Sequence, residues 1–250
     1  MKALILAAGY ATRLRPLTDT VPKQLLPVGG RPMVDSILDK IRETSTDEVH
    51  LVTNARFASD FERWGQGKDV QVHDDGTTSN DDRLGAIGDI SFVGLDDDVL
   101  AIAGDNLFDF SLREYEDFWR ARLGASCVAV HDVGDRELAK KYGVVDTDED
   151  GRIVAFVEKP DDPPSTLAAT ATYLFAREHV RLLDTYLADG NPPDQPGNFI
   201  AWLHGREPVY AYRFEGGWWD IGDRAQLLEA DNVMRRRQGL PERAEYSLQN

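Results

Sequence analysis

The sequence predicts an α/β protein of three layers, a Rossmann-like, largely parallel but mixed sheet flanked by helices. Short apolar runs suited to buried strands alternate with amphipathic helical patterns, the signature of a sheet covered on both faces. The 250 residues are 42% hydrophobic and 9% aromatic, enough to bury a core of that kind. The order is βαβ-like at first and looser after about residue 140.

Ala3–Ala8 reads as the first strand and Val49–Thr53 as the second. Between them Pro32 opens a helix at its first turn, and Met33, Ile37, Leu38 and Ile41 give that helix an apolar stripe. Further strands fit Val99–Ala103, Cys127–Val130 and Ile153–Val157. Helices fit Leu112–Arg122, Val180–Leu187 and Asp223 to about Arg237. Residues 74–82, rich in Asp, Gly, Thr, Ser and Asn, and the Pro-rich segments 161–165 and 191–197 read as loops. A single domain therefore runs to residue 237, and the polar tail 238–250, which shows no pattern, is expected to fray. No internal repeat is visible, and no hexapeptide period signals a β-helix.

Charge and composition exclude several classes. With 28 Lys+Arg against 44 Asp+Glu the net charge is −16, so the chain lacks the clustered cations that neutralise a nucleic-acid backbone. No apolar run approaches the ~18 residues that span a bilayer, and the opening apolar stretch is too short for a secretion signal, so a cytoplasmic location is expected. The single Cys127, inside an apolar run, forms no disulfide framework and reads as core. The five histidines show no zinc-ligand spacing, and no G-x-S-x-G elbow occurs.

The most informative stretch is Leu6-Ala7-Ala8-Gly9-Tyr10-Ala11-Thr12-Arg13, followed by Pro22-Lys23-Gln24-Leu25-Leu26-Pro27. A buried strand ends in small residues and Gly9, so the backbone can bring N–H groups close to an anion, and Arg13, Arg15 and Lys23 follow in the same long loop. It is neither a Walker A loop nor the dinucleotide G-x-G-x-x-G. Alone, such a loop is a solvated basic loop.

The stretch resembles the signature of the sugar-1-phosphate nucleotidyltransferases, the nucleotide-sugar pyrophosphorylases, in which a first strand runs into G-x-G-T-R and a Pro-Lys follows. The match covers Gly9 to Arg13 and Pro22-Lys23, with Ala11 standing where the family usually has its second glycine. A methyl group there is expected to be tolerated at a negative φ. Later stations appear in the family's order: Gly104-Asp105-Asn106 after a buried strand, Tyr142-Gly143-Val144, Glu158-Lys159-Pro160, and Trp218-Trp219-Asp220-Ile221-Gly222. Taken singly these read as a turn cap, a strand edge with an exposed ion pair, and the N-cap of the last helix. In register over residues 2 to about 230 they imply the nucleotide-diphospho-sugar transferase fold.

The resemblance further implies site roles. Arg13 and Lys23 are catalytic, facing the leaving and the α-phosphate, while Ala7, Ala8, Gly9, Thr12, Asn80 and Gly85 hold the nucleotide. Tyr142, Gly143, Glu158, Lys159 and Tyr173 hold the sugar and its phosphate, Tyr173 being equally readable as a core aromatic. Asp105 and Asp220 ligate Mg²⁺. The implied substrates are a nucleoside triphosphate and a sugar 1-phosphate. Asn80, where thymidylyltransferases carry glutamine, keeps the base open: dTTP or UTP is preferred, with guanylyl or cytidylyl transfer to mannose 1-phosphate or phosphocholine as alternatives. Many members of the family are dimers or tetramers, so a homo-oligomer is admitted, though not read from the residues. A glycosyltransferase would want a D-x-D at a strand's end, but Asp96-Asp97-Asp98 precedes its strand. A catalytically silent nucleotide-sugar sensor would be free to lose Lys23 or Asp105.

Overall fold

A computed structural model describes residues 1–248 of the chain. The chain runs β1 (Lys2–Leu6), a loop of short turns, the two-residue strands β2 (Pro27–Val28) and β3 (Arg31–Pro32), α1 (Met33–Ile41), β4 (Glu48–Thr53), α2 (Ala58–Gly65) and β5 (Val70–Asp74). It continues through α3 (Ala86–Val93), β6 (Val99–Ala103), β7 (Asn106–Phe108), α4 (Leu112–Arg120), β8 (Ser126–Asp132), α5 (Arg136–Ala139), β9 (Gly143–Thr147) and β10 (Ile153–Glu158). The last third holds β11 (Leu167–Phe175), α6 (Arg177–Val180), α7 (Leu183–Ala188), α8 (Pro196–Leu203), β12 (Val209–Arg213), β13 (Trp218–Asp220) and α9 (Arg224–Arg237).

Period-two alternation along β1 sets the layers. Ala3, Ile5 and Ala7 point into one core with α1, α4 and α9, whereas Leu4 and Leu6 point into a second core with α3, α7 and α8. β1 lies between β4 and β6, parallel to both, and β5 extends the parallel set beyond β4. Beyond β6 the sheet turns antiparallel through β11. The nine-stranded sheet is therefore mixed, parallel where the βαβ alternation is regular and mainly antiparallel where it loosens, with β12 parallel to β8.

β11 is the element that joins these two halves. Its first residues, Leu167 and Ala168, pair with β9 on one side and β8 on the other. After an irregularity between Ala169 and Tyr173, its last residues pair with β6 in place of β9. Tyr115 on α4 supports this irregular stretch. Its hydroxyl donates to the Cys127 carbonyl at 2.7 Å and accepts from the Leu174 N–H at 3.2 Å.

The elements differ from expectation in identifiable ways. The stretch 180–187 is two helices, α6 and α7, because the chain breaks register at Arg181–Leu182. The loop expected over 191–197 ends at Gln195, since Pro196, with its fixed φ and no N–H to satisfy, occupies the first turn of α8. Asp223, not Asp220, caps the last helix, forming a capping box with Gln226. The tail is tied down over its described part: the Asn232 side chain donates to the Arg243 carbonyl and accepts from the Arg243 N–H, and Tyr246 donates to the Pro27 carbonyl at 2.8 Å. Gln249 and Asn250 lie outside the described residues.

Tyr115→Phe should lower stability by about 1–3 kcal/mol, because it leaves a buried carbonyl and N–H short of a partner. The urea midpoint would fall at an unchanged slope, and a midpoint equal to wild type would show that the hydroxyl contributes nothing.

Candidate active site

The site opens at the carboxyl ends of β1, β4 and β6, where open α/β sheets bind ligands. The loop leaving β1 is pinned before it turns: the Ala7 N–H donates to Val52 O, and Asn54 Nδ2 donates to Ala8 O at 2.8 Å. Ala8 and Gly9 then line a cavity of about 360 Å³, together with Gln24, Gly85, Asp89 and Asp105. A Cβ built on Gly9 meets no atom within 4 Å, and its φ is one any residue adopts. Neither backbone strain nor packing asks for glycine there, so the free space belongs to whatever fills the cavity.

Ala11 corrects an expectation. It adopts φ 45°, ψ 44°, the left-handed region, rather than a negative φ. Its carbonyl is held by Thr18 Oγ1 at 2.9 Å, which helps impose the turn. Lys159 and Ala171 also have positive φ, so three of the four non-glycine residues in that region belong to the site or its walls. Such strain persists only where surrounding contacts enforce it.

Lys23 is the buried cation. Its turn follows Pro22, and its Nζ donates to Asp105 Oδ2 at 2.7 Å. Asn106 links the acids: its Nδ2 donates to Asp105 Oδ1 at 2.9 Å and reaches Asp220 Oδ1 at 3.4 Å, while its Oδ1 accepts from Trp218 Nε1 at 2.6 Å. The antiparallel pairing of β7 with β13 sets Asn106 directly opposite Asp220. Burial would raise the Asp105 carboxyl, but the Lys23 charge and the hydrogen bonds from Lys23 and Asn106 outweigh it and hold the group below its usual range. Asp220 is pushed up to about 6, by burial first and by the Asp105 charge second. Arg13 is exposed, with its guanidinium 3.3 Å from where a Cβ on Gly222 would stand and its charge felt by Asp220.

A second cavity, of about 180 Å³, lies on the other side of this centre and shares Ala171, Gln195 and Pro196 with the first. Tyr142, Gly143, Glu158, Lys159, Tyr173 and Trp218 line it. The Glu158 carboxylate is wedged between two glycines: a Cβ on Gly143 would stand 2.8 Å from Glu158 Oε2, and one on Gly197 2.5 Å. Burial raises the Glu158 carboxyl against the lowering pull of Lys159, whose Nζ lies 3.8 Å away. The Tyr142 and Trp218 rings meet tilted by 58° at a centroid distance of 4.8 Å, and Tyr173 is both core and wall.

Not every expected residue reaches the cavities. Ala7 is buried in the core, Thr12 is exposed on the loop, and Asn80 is exposed and absent from both linings. Gly85 lines the larger cavity and also has a structural reason, since it has φ 79° and a Cβ there would stand 2.7 Å from the Pro193 carbonyl. Residues missed by the sequence reading are Asn106, Gln24, Asp89, Trp218 and Gly197. Asn106, Gln24 and Trp218 sat inside quoted motifs, and Asp89 carried its own signal, an acid between Ile87 and Ile90 in an apolar helix. Asp96 is taken up by Arg177 and Arg181, at the opposite end of β6 from the site.

The nucleotidyl transferase family pattern matches residues 2–237, and the chain belongs to that family. It is 31% identical over 239 residues to the UTP–glucose-1-phosphate uridylyltransferase of Synechocystis, a match covering 89% of this chain and 60% of that protein. It is 27% identical over 255 residues to the low-salt glycan biosynthesis nucleotidyltransferase of Haloferax volcanii, covering 99% of this chain and 70% of the relative. The fold is shared with the UDP-glucose pyrophosphorylase from Acinetobacter baumanii at TM-score 0.75 and 23% identity, over 93% of this chain and 92% of the other.

Gly9→Ala should fold with stability within about 0.5 kcal/mol of wild type, as for a substitution without new contacts, yet bind nucleotide at least about tenfold more weakly. Unchanged binding by calorimetry would remove Gly9 from the site. Asp220→Asn should stabilise the metal-free protein above pH 6. A carboxyl raised in the folded state contributes stability that is complete below its unfolded value of 3.8 and is lost as pH rises through about 6. The amide avoids that loss, worth about 1–3 kcal/mol. Thermal melts in EDTA at pH 4 and pH 8 should show the gain only at the higher pH.

Proposed function

We propose that this protein transfers a nucleotidyl group from a nucleoside triphosphate, dTTP or UTP, to a sugar 1-phosphate, giving a nucleoside diphosphate sugar and pyrophosphate. The observation that carries the reading is the Lys23–Asp105 pair: its lysine is buried, Asp105 lines the larger cavity, and Asn106, which donates to Asp105, lines the smaller one with Asp220. Two phosphates entering from the two sides would meet there. The relatives, a UTP–glucose-1-phosphate uridylyltransferase among them, support the same class.

In the reaction an oxygen of the acceptor phosphate forms a bond to the α-phosphorus. The bond from that phosphorus to the β-phosphate oxygen breaks, and pyrophosphate departs with the electron pair. The nucleophile is already an anion at neutral pH, so the chemistry needs cations and alignment rather than a base. Lys23 would bind the α-phosphate, Arg13 the leaving phosphates and Lys159 the acceptor phosphate. Glu158, buried between two glycines, would accept hydrogen bonds from sugar hydroxyls.

The residues at the centre fit a divalent cation. Two carboxylates converge on Asn106, and burial first and the Asp105 charge second raise Asp220 even though Lys23 pairs with Asp105. Among the described residues no group of three or more His, Cys, Asp or Glu forms a closed metal site. Mg²⁺ needs none, since it takes one or two carboxylates and fills its shell with water and phosphate. Asp105 and Asp220 would hold it, and it would supply charge neutralisation of the triphosphate.

No helix among the described residues is long and apolar enough to cross a membrane, and burial pushes the Cys127 thiol up to about 12. An inert thiol and these substrates fit work in the cytoplasm.

Pyrophosphate release across a grid of common nucleoside triphosphates and sugar 1-phosphates, with Mg²⁺ or with EDTA, should light one Mg²⁺-dependent cell. Guanylyl or cytidylyl transfer, or phosphocholine as acceptor, would light a different one. A blank grid from folded protein that binds nucleotide would favour the silent sensor. Lys23→Ala should lower kcat by about 10² or more, the scale for losing one transition-state donor, and near-normal turnover would remove its role.

A further inference from the structure

Asp89 lies in the first turn of α3, is buried, and lines the larger cavity. The side chain it faces is another acid, Asp75, which follows β5. Asp89 Oδ1 and Asp75 Oδ2 are both buried, and neither has a hydrogen-bond partner among the described residues. The other oxygen of Asp75, Oδ1, is satisfied twice, by the Thr77 N–H and by Thr77 Oγ1, each at 2.7 Å. Two facing carboxylates with bare oxygens repel, whereas one proton held between them satisfies both.

Resting on the nucleotidyltransferase reading above, we propose that Asp75 and Asp89 share a proton that clasps α3 to the wall of the phosphate loop, and that losing it weakens nucleotide binding. The connection is continuous. Asp89 holds Asp75, Asp75 holds Thr77, and Thr77 Oγ1 meets the Tyr10 hydroxyl at 3.3 Å, beside Gly9. The clasp thus ties the Gly85–Asp89 side of the cavity to the Ala8–Gly9 side. Asp89 is a positioning residue here.

Among the described residues no Lys or Arg forms an ion pair with Asp75 or Asp89. Arg83 also lines the cavity but is held by Asp194 through both oxygens, at 3.1 and 2.8 Å. Asp82 accepts from the Thr78 and Ser79 backbone, and Asp184 on α7 accepts from Ser91 of α3. Tyr10, raised by burial, stays neutral, and Arg56 is directed at the Asp19 carbonyl. Burial and the Asp75 charge push Asp89 up to about 7. Asp89 therefore gives up its proton within the ordinary working range of pH.

The test compares wild type with Asp89→Asn, whose amide donates to Asp75 at every pH. In melts of the ligand-free protein from pH 5 to pH 9, the variant should match wild type at pH 5. Above pH 7 it should melt higher by about 2–4 °C, because only wild type loses the shared proton. UTP binding by wild type should weaken about tenfold from pH 6 to pH 8.5, while the variant, facing the same triphosphate titration, should change far less. Asp75→Asn approaches the same proton from the other side and should flatten both profiles, which keeps the test open if the first variant folds poorly. Identical pH profiles in wild type and variants overturn the proposal. A melting difference with parallel UTP profiles overturns its nucleotide arm. Failure of UTP and dTTP to bind at any pH would count against the functional reading, while the melts still decide the shared proton.

Discussion

The site depends on a charge imbalance held in place by the bond between Lys23 and Asp105. A buried lysine is costly unless paired, and Asp105 pairs it at 2.7 Å. Asp220, opposite Asn106 on a neighbouring strand, adds a second carboxylate that the lysine cannot also neutralise. The ligand-free centre therefore carries excess negative charge at a place where two phosphates are proposed to meet. Stability is given up at Asp220, the usual relation between a site and the scaffold around it.

Much of the scaffold exists to deliver these groups. β1 delivers the phosphate loop, β6 runs into Asp105, and the short β7–β13 pair brings Asp220 across from Asn106. Positive φ at Ala11, Lys159 and Ala171 shows how tightly these turns are held. At Ala11 the family's usual glycine would enter the left-handed region without the steric cost that alanine carries.

The parallel half of the fold was legible because its strands are short apolar runs and its helices carry regular stripes, as with Val99–Ala103 and Met33–Ile41. The antiparallel half was less so. β11, reading Leu-Ala-Ala-Thr-Ala-Thr-Tyr-Leu-Phe, lacks clean alternation because it changes neighbours midway. The catalytic centre was legible through motifs that carry charge. What stayed hidden was relational: Asn106 as the bridge between two acids, Gly197 as the seat of Glu158, and the pairing of Asp75 with Asp89 are contacts between segments far apart in sequence. The left-handed φ of Ala11 was hidden for a similar reason, because the turn is set partly by Thr18.

The irregular middle of β11 has an evolutionary meaning. Ala171, freed from the ladder, lines both cavities, so on the β11 side the partition between them is built from main chain and a methyl group. Side chains on either side can then be exchanged without moving the point where the two compartments adjoin. On the function proposed above, substrate choice and the geometry of transfer would be held by separate parts of the chain, which would let one drift while the other stays fixed.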